Sequence, residues 1–268
     1  MTVGILHPGA MGSTVGASCT EPTIWLSEGR SEATWRRAEA AGIRPVAEFT
    51  EFVATADVIV SVCPPDAATE TSRTVAATGF DGIYVDANAI APATARAIAE
   101  QHPRFVDGGI IGPPVSGPGT TRLYLSGEAG AEVARLWEGT DLEVRLVTGG
   151  AGAASAVKTC FAAYTKGSTA LLLAIRALAE AEGVSKSLLA EWDTSMPDLA
   201  MSSEIGARYS APKAWRFSGE MHEVAQAFDD ASLPSGFHGA AAQIYGRLLP
   251  FKDRDDVDFD EILAAILR

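Results

Sequence analysis

Lys158 is the residue whose type and placement point most directly to chemistry. It follows Gly149-Gly150-Ala151-Gly152-Ala153-Ala154-Ser155-Ala156-Val157. That glycine-rich turn opens into roughly thirty residues without proline, which predicts a long helix over about 152–182. On it Ser155, Lys158, Ala162, Thr165 and Thr169 fall at i, i+3, i+7, i+10 and i+14, one small and polar stripe. Val157, Phe161, Tyr164, Leu171, Leu172, Ile175 and Leu178 supply apolar surface around it. A lysine can exchange a proton near neutrality only if burial or nearby positive charge lowers its ammonium from about 10.4. Asn88 and Ser155 are candidate hydrogen-bonding neighbours, each with an alternative as a turn or helix-start residue. For Lys158 the bland alternative is a solvated surface lysine.

The second candidate is a turn. Val3-Gly4-Ile5-Leu6 reads as a buried strand, and His7-Pro8-Gly9-Ala10-Met11-Gly12 leads from it into a helix. Dinucleotide-binding turns carry Gly-x-Gly-x-x-Gly at this place. Gly9 would let the backbone approach a pyrophosphate and Gly12 would let helix and strand pack. His7 stands where the first glycine belongs and reads as a turn residue. Thr23-Ile24-Trp25-Leu26 is a second strand, ending in Ser27-Glu28-Gly29-Arg30-Ser31. Glu28 could hold a ribose 2′-hydroxyl, but a guanidinium and a hydroxyl at Arg30 and Ser31 suit a 2′-phosphate. The expected cofactor is therefore NADP(H) ahead of NAD(H). Arg36 and Arg37 are read as a solvated helix start.

These residues need elements to position them. Asp57 to Val62 is a buried strand closed by Cys63-Pro64-Pro65, and Ile83 to Asp86 is another, followed by Ala87-Asn88 and a helix over 93–100. Phe105 to Asp107 leads into Gly108-Gly109-Ile110-Ile111-Gly112, and Leu123 to Ser126 and Val144 to Val147 complete the set. Strands separated by helical runs predict βαβ units and a parallel sheet. Gly9, Ser27, Cys63, Asn88 and Ile111 would gather beyond its strand ends. The division expected is a nucleotide-binding Rossmann domain over 1–150 and an all-helical domain over 151–268. The latter has helices over 185–203 and 215–228, an acidic turn over 253–260 and a closing helix over 262–267. Trp215, Tyr164, Phe237, His238 and His222 are read as pocket wall or as core.

Composition excludes other classes. The 268 residues carry a net charge of −13, which argues against nucleic acid or an anionic membrane surface as the main partner. Cys19, Cys63 and Cys160 form no CxxC, so neither a disulfide framework nor a metal site is expected. The apolar run from Ser168 to Ala181 is interrupted by Arg176 and too short to span a bilayer. With no signal-peptide pattern, a cytoplasmic protein is expected.

The order of motifs resembles the β-hydroxyacid dehydrogenase superfamily, which includes 6-phosphogluconate and 3-hydroxyisobutyrate dehydrogenases and the imine reductases. The resemblance covers essentially the whole chain. It implies an α/β Rossmann domain followed by an all-α domain reached through a long helix, a homodimer interlocked through those helices, and a nicotinamide cofactor between the domains. By position, the loop from Pro8 through Gly9, Ala10, Met11 and Gly12 matches the pyrophosphate loop, and Arg30 with Ser31 matches the stretch at the adenosine ribose. Cys63 and Pro64 match the end of the fourth strand, Asn88 the asparagine of the phosphogluconate enzymes, and Lys158 the catalytic lysine. On the substrate side the matches are Ile111, Gly112, Ser155, Ala162 and Trp215. Ile111 stands where a carboxylate-binding serine belongs, Ala162 where an asparagine does, and Glu220 or Met221 where a further lysine does. Asp-Gly-Gly-Ile-Ile is closer to imine reductases, which usually carry Asp or Tyr in place of Lys158. The resemblance implies hydride transfer to or from a small hydroxy or carbonyl compound. Reduction of a C=N bond and dinucleotide binding without turnover are the alternatives.

Overall fold

The structure is a computed structural model that describes residues 1–254 and 256–268. Its first compact unit, Met1–Thr159, alternates β1 (Val3–Ile5), α1 (Ala10–Ala17), β2 (Thr23–Leu26), α2 (Glu32–Ala40), β3 (Arg44–Val46), α3 (Phe49–Thr55), β4 (Val58–Ser61), α4 (Pro65–Ala76), β5 (Ile83–Asp86) and α5 (Pro92–Ala99). Then come β6 (Phe105–Ile111), β7 (Thr121–Ser126), α6 (Gly130–Ala134) and β8 (Leu142–Leu146). The eight strands lie in the order β3-β2-β1-β4-β5-β6-β7-β8. β1, β4 and β5 are buried along their whole length, as expected of parallel strands covered on both faces. The order reverses between β1 and β4, the place where open α/β sheets hold their ligands.

One expectation for the sheet is corrected. β7 pairs antiparallel to β6, with Asp107 opposite Ser126 and Ile111 opposite Arg122, whereas every other pair is parallel. The connection over 112–120 is too short for a crossover helix, so the chain must return on itself. Gly112, at φ +127, makes that reversal.

The second unit, Cys160–Arg268, is helical. The boundary falls inside α7 (Ala153–Ala181), so this one helix runs from the first unit into the second. It is followed by α8 (Ser185–Ser195), α9 (Leu199–Ser210), α10 (Ala214–Asp230), α11 (Gly236–Arg247) and α12 (Phe259–Ile266). Leu173, Ala177, Phe217, Met221, Tyr245 and Ile262 are among the core residues, and Phe217 meets Tyr245 edge-on at 5.5 Å. The single helix expected over 185–203 is two. Pro197 cannot continue a helix, and Asp198 takes a left-handed φ of 71 before α9 begins. Tyr164 and Phe237 are not core residues: they are 76% and 78% exposed. Of the acidic stretch 253–260, Asp255 lies outside the described residues, and Asp258 caps α12. Among the described residues no helix is long and apolar enough to cross a membrane.

Candidate functional site

The turn after β1 is built by backbone contacts. Gly9 donates to the His7 carbonyl at 2.8 Å, and Ser13 donates to the Gly9 carbonyl at 3.0 Å. A Cβ on Gly12 would lie 2.2 Å from the His7 oxygen, so this glycine is required by the fold. A Cβ on Gly9 would meet nothing within 4 Å. Gly9 is the N-cap of α1, no side chain caps the helix, and its first turn has no acid. The free N–H groups and positive end of the dipole are thus left uncompensated by the protein, the arrangement that receives a phosphate in this fold.

Arg30 reaches this turn from β2. The backbone from Ser27 to Arg30 closes a turn through Gly29 at φ +66. Arg30 Nη2 then donates to the Leu6 carbonyl at the end of β1, at 3.3 Å. Its Nε is buried without a partner, and so is Nδ1 of His7. Burial and then the Arg30 charge push the His7 imidazole down to about 4, so it is neutral near neutrality. Ser27 Oγ donates to the Val46 carbonyl, and the exposed Ser31 caps α2 by accepting from the Thr34 N–H.

Further along the strand ends lies a buried polar network. The Cys63 N–H donates to Asn88 Oδ1 at 2.6 Å. Asn88 Nδ2 donates to Ser61 Oγ at 3.1 Å and to Asp86 Oδ2 at 2.9 Å, and its N–H donates to Asp86 Oδ1 at 3.0 Å. Asn88 therefore sets the backbone at Cys63 and is itself buried. Burial holds the Cys63 thiol up at about 11, so it stays a thiol and not a thiolate.

Across the sheet Asp107 fixes the start of α7. Its carboxylate accepts from the Ser155 N–H at 2.9 Å and from Ser155 Oγ at 2.5 Å. Ser126 Oγ, 3.1 Å from Asp107 Oδ2, accepts from the Ala154 N–H at 3.0 Å. A carboxylate on the first N–H groups of a helix is favoured by both hydrogen bonding and the dipole. Ser155 is thus a positioning residue, buried beneath the helix. A Cβ on Gly109 would lie 2.8 Å from the Ala154 oxygen and 3.0 Å from the Lys158 Cβ, so the bare backbone of β6 seats the first turns of α7. Lys158, half-buried, leaves the helix one turn beyond the clamp. Asp107 and Ser126 complete the constellation. Their signal in the sequence is an acid in the otherwise apolar strand Phe105-Val106-Asp107.

Ile111, at the end of β6, is 3% exposed. In the helical unit Ala162 belongs to the core, so the position expected to carry a polar partner is a packing position. Trp215 is half-exposed, with Lys252 Nζ 4.5 Å over its ring.

Asp86 faces Asp107 across β5 and β6. Burial, reinforced by the Asp107 charge, raises its carboxyl to about 7. The folded state then binds more protons than the unfolded one from about pH 4 to pH 7, so stability falls as pH rises through that window. Urea midpoints should be higher at pH 5.5 than at pH 8, by on the order of 1–3 kcal/mol in unfolding free energy. Asp86→Asn should flatten the difference; a midpoint that rises with pH would contradict it.

The strand order, the glycine turn after β1 and the helical unit that follows define a Rossmann-type architecture. The chain has the fold shared by 3-hydroxyacid dehydrogenases and imine reductases, and its residues 179–248 match a family described as a domain of unknown function, DUF1932. A conserved protein of unknown function, described as structurally similar to 3-hydroxyacid dehydrogenases, is 26% identical, with TM-score 0.68 over 94% of this chain and 98% of that one. The 3-hydroxyisobutyrate dehydrogenase of Mycobacterium tuberculosis, solved with L-serine, gives TM-score 0.72 at 18% identity, over 100% and 99% of the two chains. An imine reductase variant from Myxococcus stipitatus, solved with NAD+, gives 0.58 at 18% identity over 100% and 99%. An uncharacterized 28.5 kDa protein of Methanothermus fervidus is 27% identical over 193 residues, 70% of this chain and 75% of its own.

Proposed function

We propose that this protein is an NADP(H)-dependent oxidoreductase that moves a hydride between the nicotinamide and a small hydroxy or carbonyl compound, with Lys158 as the proton-transfer residue. The observation that carries the reading is the open glycine turn at the uncapped start of α1, flanked by the unpartnered His7 and Arg30 nitrogens. These residues fit a dinucleotide. The loop from Pro8 to Gly12 would hold the pyrophosphate, Arg30 and Ser31 the adenosine ribose with its 2′-phosphate, and Cys63 and Pro64 the far side beyond β4. When bound, the cofactor supplies the hydride or accepts it. The chain's own part is position and a proton: Lys158 gives one to a carbonyl oxygen or takes one from a hydroxyl.

Ile111 favours a second reading, reduction of an imine. An apolar residue there offers no partner for a substrate carboxylate, and small 3-hydroxy acids should be poor substrates. A panel of carbonyl, hydroxy-acid and imine compounds followed by NADPH absorbance separates the two. Silence across the panel with intact binding would favour a dinucleotide-binding protein without turnover. For the cofactor, NADPH should bind more tightly than NADH, and Arg30→Ala should narrow the gap by roughly 1–2 kcal/mol, the scale of one charge-assisted contact. Equal affinities in the wild type would overturn the preference.

The helical unit carries exposed apolar stripes: Phe161, Tyr164, Leu171 and Leu178 on α7, and Met201, Ile205 and Tyr209 on α9. Their spacing along α7 keeps to the seam of two packed helices. A twofold dimer through α7 is therefore proposed. Sedimentation at micromolar concentration should show a dimer, and Leu171→Glu should shift it toward monomer. A wild-type monomer would contradict it.

A further inference from the structure

His7 has no task in the turn it belongs to. Gly9 and Gly12 provide the open backbone and the close packing, and of His7 only the carbonyl is used there. Its ring is partly buried, and Nδ1 is enclosed with no hydrogen-bond partner. An enclosed polar atom without a partner costs about 1–3 kcal/mol; His102 and His238 also keep an unpartnered Nδ1, but of the three only His7 lies in the turn after β1. Arg30 Nε, likewise enclosed and unpartnered, belongs to a guanidinium anchored on the carbonyl of Leu6, the residue before His7. One nitrogen of each of two side chains, at the ends of adjacent strands β1 and β2, thus lacks a partner beside an uncapped helix start.

We infer that His7 is a dinucleotide-binding residue: its imidazole N–H and the Arg30 guanidinium together hold the oxygens of one phosphate group of the cofactor. A neutral imidazole carries its proton on one ring nitrogen and can donate it. The guanidinium supplies charge and a second donor. The replacement of the first fingerprint glycine by histidine then has a chemical reason, since it adds a donor where the usual turn has none. The group held is either the 2′-phosphate or the pyrophosphate, which present the same oxygens to the same donors.

This inference rests on the dinucleotide reading, and binding measurements separate the two. NADPH and NADH would be titrated by quenching of tryptophan fluorescence and by calorimetry. The proteins compared are the wild type, His7→Ala, His7→Gly, His7→Gln, Arg30→Ala and the His7→Ala/Arg30→Ala double variant. His7→Ala and His7→Gly should each weaken binding about tenfold, although the latter restores the fingerprint glycine. His7→Gln, which keeps a donor, should retain most of the affinity. The double variant should lose less than the product of the single losses, because both side chains hold one group. Thermal midpoints without ligand should not fall, which a packing role for His7 would require. A loss confined to NADPH assigns the 2′-phosphate, and an equal loss for both cofactors assigns the pyrophosphate; either supports the inference. Undiminished binding by His7→Gly overturns it and leaves the dinucleotide reading standing. A wild type that binds neither cofactor overturns both.

Discussion

Lys158→Ala should lower turnover by about 10²–10⁴-fold while leaving dinucleotide affinity within about twofold, the pattern of a lost proton-transfer group. The expectation follows from how the lysine is held. Asp107 accepts from the Ser155 N–H and hydroxyl, Ser126 accepts from the preceding Ala154 N–H, and Gly109 lets the helix lie against β6. Lys158 therefore leaves a backbone that other residues hold, and truncation should remove an amine while those contacts stay in place. Lys158→Arg should fail to rescue, because guanidinium does not release its proton near neutrality. Single-turnover rates and NADPH titrations on the same preparations check both halves. Unaltered turnover of any substrate by the alanine variant would end the assignment, and loss of cofactor binding with it would make the lysine a binding residue.

The sequence makes legible what is local. The long helix expected over about 152–182 is α7, Ala153–Ala181, because its start is a glycine turn and its interior lacks breakers. The strands at β1, β2, β4 and β5 stand out as apolar runs between turn residues. β3 does not, since Arg44-Pro45-Val46 reads as loop. It pairs only because an edge strand tolerates a proline. α11 opens with Gly236 and holds two further glycines, so propensity hides it, and packing against α10 decides it.

The candidate site divides the same way. The glycine turn and Lys158 announce themselves by spacing, but the clamp that holds the lysine joins Asp107 to Ser155 across 48 positions of chain. No window of sequence contains that pair. Asn88 and Cys63, 25 positions apart, are a second case. Ser27 and Ser155 are further cases, since both hydroxyls make hydrogen bonds with distant parts of the protein. A residue type at a strand end marks a place beside the site, and only the partner shows which way the side chain is spent.

Gly12→Ala and Gly9→Ala should have opposite signatures, though both glycines belong to one fingerprint. In Gly12→Ala the new methyl would meet the His7 carbonyl oxygen at 2.2 Å and its carbon at 3.1 Å. Both are backbone atoms at the end of a buried strand, so the turn and α1 must separate. Overpacking against a fixed backbone costs about 1–3 kcal/mol and sometimes more. The urea midpoint should fall markedly, and dinucleotide affinity should fall with it as the helix start is displaced. Gly9 adopts φ −68 and ψ −166, which any residue can take, and its Cβ position is open. Gly9→Ala should therefore unfold at the wild-type midpoint or slightly above it, since alanine restricts the unfolded chain. Its affinity for NADPH and NADH should nonetheless drop by about tenfold or more, because the methyl occupies the space a pyrophosphate needs to reach the first N–H groups of α1. Chemical denaturation and cofactor titration on the two variants give four measurements. Stability lost at position 12 and binding alone lost at position 9 is the expected set. Wild-type affinity in a stable Gly9→Ala protein would show that no phosphate approaches the turn there.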